Sequence, residues 1–204
     1  MQRESPLSLA ELRKILEVAT DYSEALWLAV FICTGAKLNE VLNMRMDRVR
    51  ATPEEIGGRQ FKTMPLLCRH LRHYASEIRP LMKAPKPDLD ELGGDYLWLS
   101  SYARSPLTRT TVAQTLDRIG LALGLNLTTV RFRTTRLAYK WHELGHASPA
   151  ALRRFAGLSS HFEIVQRAEE SILARPEVFP EVMPGWEDAL VEECLPTIPG
   201  SQLG

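Results

Sequence analysis

Cysteine is scarce in this chain of 204 residues: Cys33, Cys68 and Cys194 are scattered, and no two stand at metal-ligand spacing. That excludes a disulfide framework and a Cys-rich zinc module, and it fits a reducing compartment. The five histidines form no paired ligand motif, so neither a metal nor a cofactor is expected. No apolar run reaches membrane-spanning length; the longest, Ala25–Cys33, is the size of a core helix. The opening residues, MQRESPLSLAEL, lack the apolar segment of a signal peptide, and a cytoplasmic, nucleoid-associated location is the expectation. Internal repeats and low-complexity tracts are also missing. Net charge is zero, with 25 basic and 25 acidic side chains, so the chain is no bulk polycation.

The charge is nevertheless unevenly distributed. Residues 1–100 balance 14 Lys+Arg against 14 Asp+Glu, residues 101–170 carry 10 against 5, and residues 171–204 carry 1 against 6. The basic middle centres on Thr128–Arg167, where Arg131, Arg133, Arg136 and Lys140 fall within ten residues, followed by Arg153 and Arg154. From Arg133 to Leu144 the apolar residues Leu137, Trp141 and Leu144 recur at helical spacing. Arg133, Arg136 and Lys140 occupy a neighbouring stripe of the same helix. A helix docked by its apolar stripe and showing cations to a polyanion has this pattern; so does an ordinary solvated face. The acidic tail can pair with that basic surface in cis or on a neighbouring copy, and Trp186 within it is a candidate anchor for partner docking.

In chain order, Ser8 with Glu11 forms a capping box ahead of an apolar stripe at Leu12, Ile15 and Leu16. Asp21–Thr34 is apolar nearly all round and reads as a buried central helix ended by Gly35. A short helix over Lys37–Met44, a strand over Asp47–Ala51, a partner strand over Arg59–Leu67 and a helix over Cys68–Met82 follow. Lys83–Gly94 reads as an exposed linker, Tyr96–Leu99 as a short buried extended segment, and Thr110–Leu123 as a helix. Ser160–Ala174 closes the main unit, and Trp186–Cys194 is a short amphipathic helix between prolines. The expected fold is mainly α with a small antiparallel β-sheet, in two parts: residues 1–172, then an acidic, Pro-rich tail over 173–204.

These elements, in this order, resemble the catalytic domain of the tyrosine recombinases (the phage integrase family) over roughly residues 6–172. "LAVFICTGAKLNEVLNMRMDRV" is similar to the family's first box, Thr-Gly-x-Arg-x-x-Glu-Leu followed by Leu-x-x-Asp. "FKTMPLLCRHLRHYASEI" resembles the strand and helix after its β-hairpin, "VRFRTTRLAYKWHELG" its Arg-containing second box, and "LRRFAGLSS" its Leu-Gly-His-Ser-Ser corner. The resemblance implies a scaffold that binds double-stranded DNA. In the family a tyrosine attacks a phosphodiester while arginines neutralise the charge that develops on its oxygens.

At the chemical positions the sequence departs from that pattern. Lys37 stands where the first-box arginine belongs, a point charge without the guanidinium fork. Arg133 matches the second-box arginine, with Val130 three residues before it. Leu158 occupies the corner histidine position, with His161 nearby but off register. Arg167 falls where the nucleophile belongs, and no tyrosine follows Tyr139. Lys62 or Arg59 stands for the hairpin lysine. The resemblance therefore implies a protein with no catalytic residue of its own. Its phosphate contacts are Lys37, Arg59, Lys62, Arg131, Arg133, Arg136, Lys140, Arg153 and Arg154. It would serve an accessory or regulatory role in DNA recombination or a mobile element, self-associating or meeting a partner recombinase through its tail. Two other readings stay open: an active recombinase whose nucleophile is unrecognised or supplied by a partner, and a protein-interaction module that binds no nucleic acid.

Overall fold

The computed structural model describes residues 5–82, 95–100, 105–157 and 162–198. The expected linker over Lys83–Gly94 lies outside them, as do Leu158 and His161. The described chain is mainly helical with one two-stranded antiparallel sheet. Helix α1 (Leu9–Glu17) begins at the expected capping box: Glu11 N–H donates to Ser8 Oγ at 3.1 Å, and Ser8 N–H to Glu11 Oε2 at 2.6 Å. Helix α2 (Tyr22–Thr34), capped by Asp21, is buried from Ser23 to Thr34 and stops at Gly35, whose φ of 60° suits a residue without a Cβ. The helices over Leu9–Glu17, Leu38–Leu42, Pro65–His73 and Thr129–Glu143 pack on it. No described helix is long and apolar enough to cross a membrane.

After the short α3 (Leu38–Leu42), the strand expected over Asp47–Ala51 is instead α4 (Met46–Ala51). Asp47 lies in its first turn and Arg48 and Arg50 in its last, each charge matching the helix dipole. The strand expected over Arg59–Leu67 shrinks to β2 (Arg59–Gln60), paired with β1 (Glu55–Ile56) in the register Glu55↔Gln60 and Ile56↔Arg59. Gly57 and Gly58, with φ of 57° and 73°, make the tight hairpin turn. Pro65 then opens α5 (Pro65–His73) at its first position, where a missing N–H costs nothing. A π-turn over Tyr74–Ile78 and a 3₁₀ turn over Arg79–Leu81 continue that helix. Tyr96 and Leu99 form single bridges to Arg45 and Pro106.

Four helices follow: α6 (Arg109–Leu123), α7 (Thr129–Glu143), α8 (Pro149–Ala156) and α9 (Phe162–Ala174). A 3₁₀ turn over Pro176–Glu181 leads to α10 (Trp186–Cys194). A small apolar cluster of Leu137, Trp141, Leu152, Ala156, Ile164 and Ala168 joins α7, α8 and α9. The larger cluster centres on α2 and also contains Val178, Phe179, Val182, Trp186, Leu190, Val191 and Leu195. The segment after residue 172 thus contributes to the main core. Its helix packs on α1 and α5 of its own chain.

Candidate nucleic-acid interface

Two helix ends define the candidate site. α2 and α8 both stop at a left-handed glycine, Gly35 and Gly157, and each leaves C-terminal carbonyls without helical partners. Two arginines bridge those ends. Arg133 of α7 donates to Gly35 O at 2.6 Å and to Ala156 O at 2.7 Å. Arg59 of β2 donates to Phe155 O at 2.9 Å and to Thr34 O at 3.5 Å. A third cation, Lys37, stands exposed at the start of α3, two residues past Gly35. Glu40 is the counter-charge, accepting from Arg59 at 2.6 Å and from the Lys37 backbone N–H at 2.7 Å.

The electrostatics of this corner are strained. Burial lowers the Arg133 pKa first, and the positive charge of Arg59 lowers it further. Burial also lowers that of Arg59, against the pull of Glu40. Arg59 is 7% exposed, and its Nε has no hydrogen-bond partner among the described residues. Two guanidiniums therefore share the field of one carboxylate and the negative ends of two helix dipoles. Close packing fixes the geometry: a Cβ on Gly157 would come within 2.9 Å of Arg59 Cδ, and one on Gly35 within 3.2 Å of Arg136 Cβ.

The other predicted cations divide between surface and interior. Lys62 and Arg154 are exposed, and Arg153 is half-buried on α8. Arg131 is buried, donating to Ser5 O at 2.8 Å and to Asn126 O at 2.6 Å, and so shows no cationic face to solvent. Arg136 corrects the stripe reading most sharply, at 1% exposure. Its guanidinium donates to Cys33 O at 2.6 Å, to Glu143 at 3.0 Å and to Glu187. It also lies over the Phe155 ring at 4.7 Å and the Trp186 ring at 5.3 Å, within cation–π range of both. Lys140 pairs with the same Glu143 at 2.8 Å. The stripe fails because α7 packs on α2, α8 and α9, which leaves little of its circumference to solvent.

Trp186 is likewise not an outward anchor. It is 5% exposed, donates from Nε1 to Glu143 at 3.1 Å and meets Tyr139 edge-on at 5.2 Å. Tyr139 itself is fully buried and donates to Leu7 O at 2.6 Å, as a packing residue does. Arg167, at the nucleophile position, is exposed on α9 near Glu163. Glu40, Glu143 and Glu187 were missed as partners of these cations. Only Glu40 carried a sequence signal: it stands at the Glu of the first-box pattern, three residues after Lys37. Comparison with family models, curated proteins and solved structures found no match to this chain.

Proposed function

We propose that this protein binds DNA on a scaffold resembling the tyrosine recombinase catalytic domain, without cutting it, as an accessory or regulatory component of DNA recombination. One observation carries the reading. Arg59 and Arg133, far apart in sequence, meet at the Gly35 corner beside the exposed Lys37, with Glu40 as the acid partner of Arg59. Such a corner is under-neutralised, and a phosphate oxygen arriving there relieves repulsion between the two guanidiniums. The absence of cleavage rests on Arg167 at the nucleophile position and on Tyr139, whose hydroxyl is buried and bonded to backbone.

A second reading, a protein-interaction scaffold that binds no nucleic acid, gains from the neutralisation of Arg136 and Lys140 by Glu143 and Glu187. Duplex binding followed across a salt series separates the two. Binding that weakens with a negative log–log slope, and that Lys37→Gln weakens further, supports the DNA reading. No binding at low salt sinks it. A nicked suicide duplex tests the silent-site half, because a trapped covalent adduct would show that cleavage survives.

A further inference from the structure

A different basic surface lies on α4 and α5. These two helices carry Arg48, Arg50, Arg69 and Arg72 against Asp47 alone, an excess hidden by the balance of residues 1–100. α4 packs against α5 and the π-turn that continues it, and Arg50 Nε donates to Ala75 O at 3.0 Å across that seam. The side chains of Arg48 on α4 and of Arg69 and Arg72 on α5 are exposed and make no ion pair or hydrogen bond among the described residues. His73 stands beside them, four residues after Arg69 on the same helical row. The field is felt inside the fold: the charges of His73 and Arg69 add to burial in holding His70 neutral. Asp188 is the acid that Arg69 influences, and its carboxylate already accepts the Leu66 N–H at 3.1 Å.

We propose that this α4–α5 face is a second nucleic-acid contact, gripping the phosphate backbone of a duplex through Arg48, Arg69 and Arg72. It shares its partner, duplex DNA, with the reading above but uses none of that site's residues. A polyanion suits the face better than a protein does, on three grounds. The free cations of α4 and α5 are all arginines, whose planar forks match phosphate oxygens in pairs. The face lacks an apolar centre: Leu81, Leu121, Val130, Leu173 and Met183, the large exposed apolar side chains of the described residues, all lie outside α4 and α5. Arg69 and Arg72 are helical neighbours, about 5–6 Å apart at their Cβ atoms, a spacing that lets one row of side chains follow one strand of phosphates.

The test is fluorescence anisotropy of a labelled duplex with the full chain over a salt series, using wild type, an Arg48→Gln/Arg69→Gln/Arg72→Gln triple variant, and Lys37→Gln. All the substituted side chains are exposed, so circular dichroism should confirm an unchanged fold. The triple variant should flatten the log–log salt slope by about 2–3, roughly 0.9 for each phosphate no longer neutralised, and bind at least about tenfold more weakly at low salt. A wild-type slope in the triple variant overturns the proposal while leaving the corner reading intact. Weakening by the triple variant with none from Lys37→Gln supports this surface and removes the corner. Capture of a Glu-rich peptide through these arginines, with no duplex binding by wild type, overturns both.

Discussion

Burial on α5, followed by the nearby charges of His73 and Arg69, pushes the His70 pKa down to about 4. Its Nδ1 is hydrogen-bonded to the Tyr22 hydroxyl at 2.8 Å. The folded pKa lies below the unfolded value near 6.5, so the unfolded chain takes up the proton first as pH falls. The stability present above that pH is lost as pH drops from about 6.5 toward 4. Denaturant titrations at pH 7.5 and 4.5 should show wild type losing about 2–3 kcal/mol more than His70→Gln over that interval. Equal losses would show that the ring protonates freely. Arg136 makes the complementary case. Its removal leaves Glu143 and Glu187 facing each other in the core, and burial already raises the Glu187 pKa. Arg136→Met should destabilise by about 3–5 kcal/mol at neutral pH, and adding Glu187→Gln should recover part of that. A loss below about 1 kcal/mol would return Arg136 to the solvated face that its helical spacing suggested.

Helix identity was legible because each long helix carries its own punctuation. Ser8 with Glu11, Asp21, Gly35 and Gly124 all sit where the chain starts or stops a helix. The strands were not, since two residues on either side of Gly57-Gly58 hold no period to read. The assembled site was only half legible. The first-box pattern pointed to Lys37, but which arginines are consumed internally depends on contacts such as Arg59 to Phe155, 96 positions apart. Gly120 shows how such contacts override local preference. It sits inside α6, where alanine is worth about 1 kcal/mol more to an isolated helix. A Cβ there would collide with Leu125 O, in a turn where Leu125 N–H donates back to Gly120 O at 2.8 Å. Gly120→Ala should therefore lower stability by about 1–3 kcal/mol in urea titration. A gain would mean that the 124–127 turn yields more readily than a backbone contact of this kind allows.

At the scale of the whole molecule, the acidic C-terminal segment helps to complete the fold. Val178, Phe179, Val182, Trp186, Leu190, Val191 and Leu195 all enter the cluster built on α2. Its polar groups are committed as well: Arg175 donates to Glu11 at 2.8 Å, Glu193 accepts from Arg13 at 2.7 Å, and Asp188 receives an N–H in the first turn of α5. Trp186 closes the arrangement by covering both Arg136 and Tyr139. The tail thus pairs mostly with the N-terminal part of its own chain, and its Glu187 meets Arg136 of the basic middle, so no second copy is needed to neutralise Arg136. Trp186→Ala should cost about 3–5 kcal/mol in denaturant titration, the range for truncating a buried aromatic, because it opens a cavity beside a buried cation. A chain ending at Ala174 should lose cooperative unfolding altogether, with a broadened thermal transition and dye-accessible apolar surface where the full chain melts sharply. If the shortened chain instead melts as sharply as the full one, the segment is an appendage, and a docking role on a neighbouring copy regains its basis.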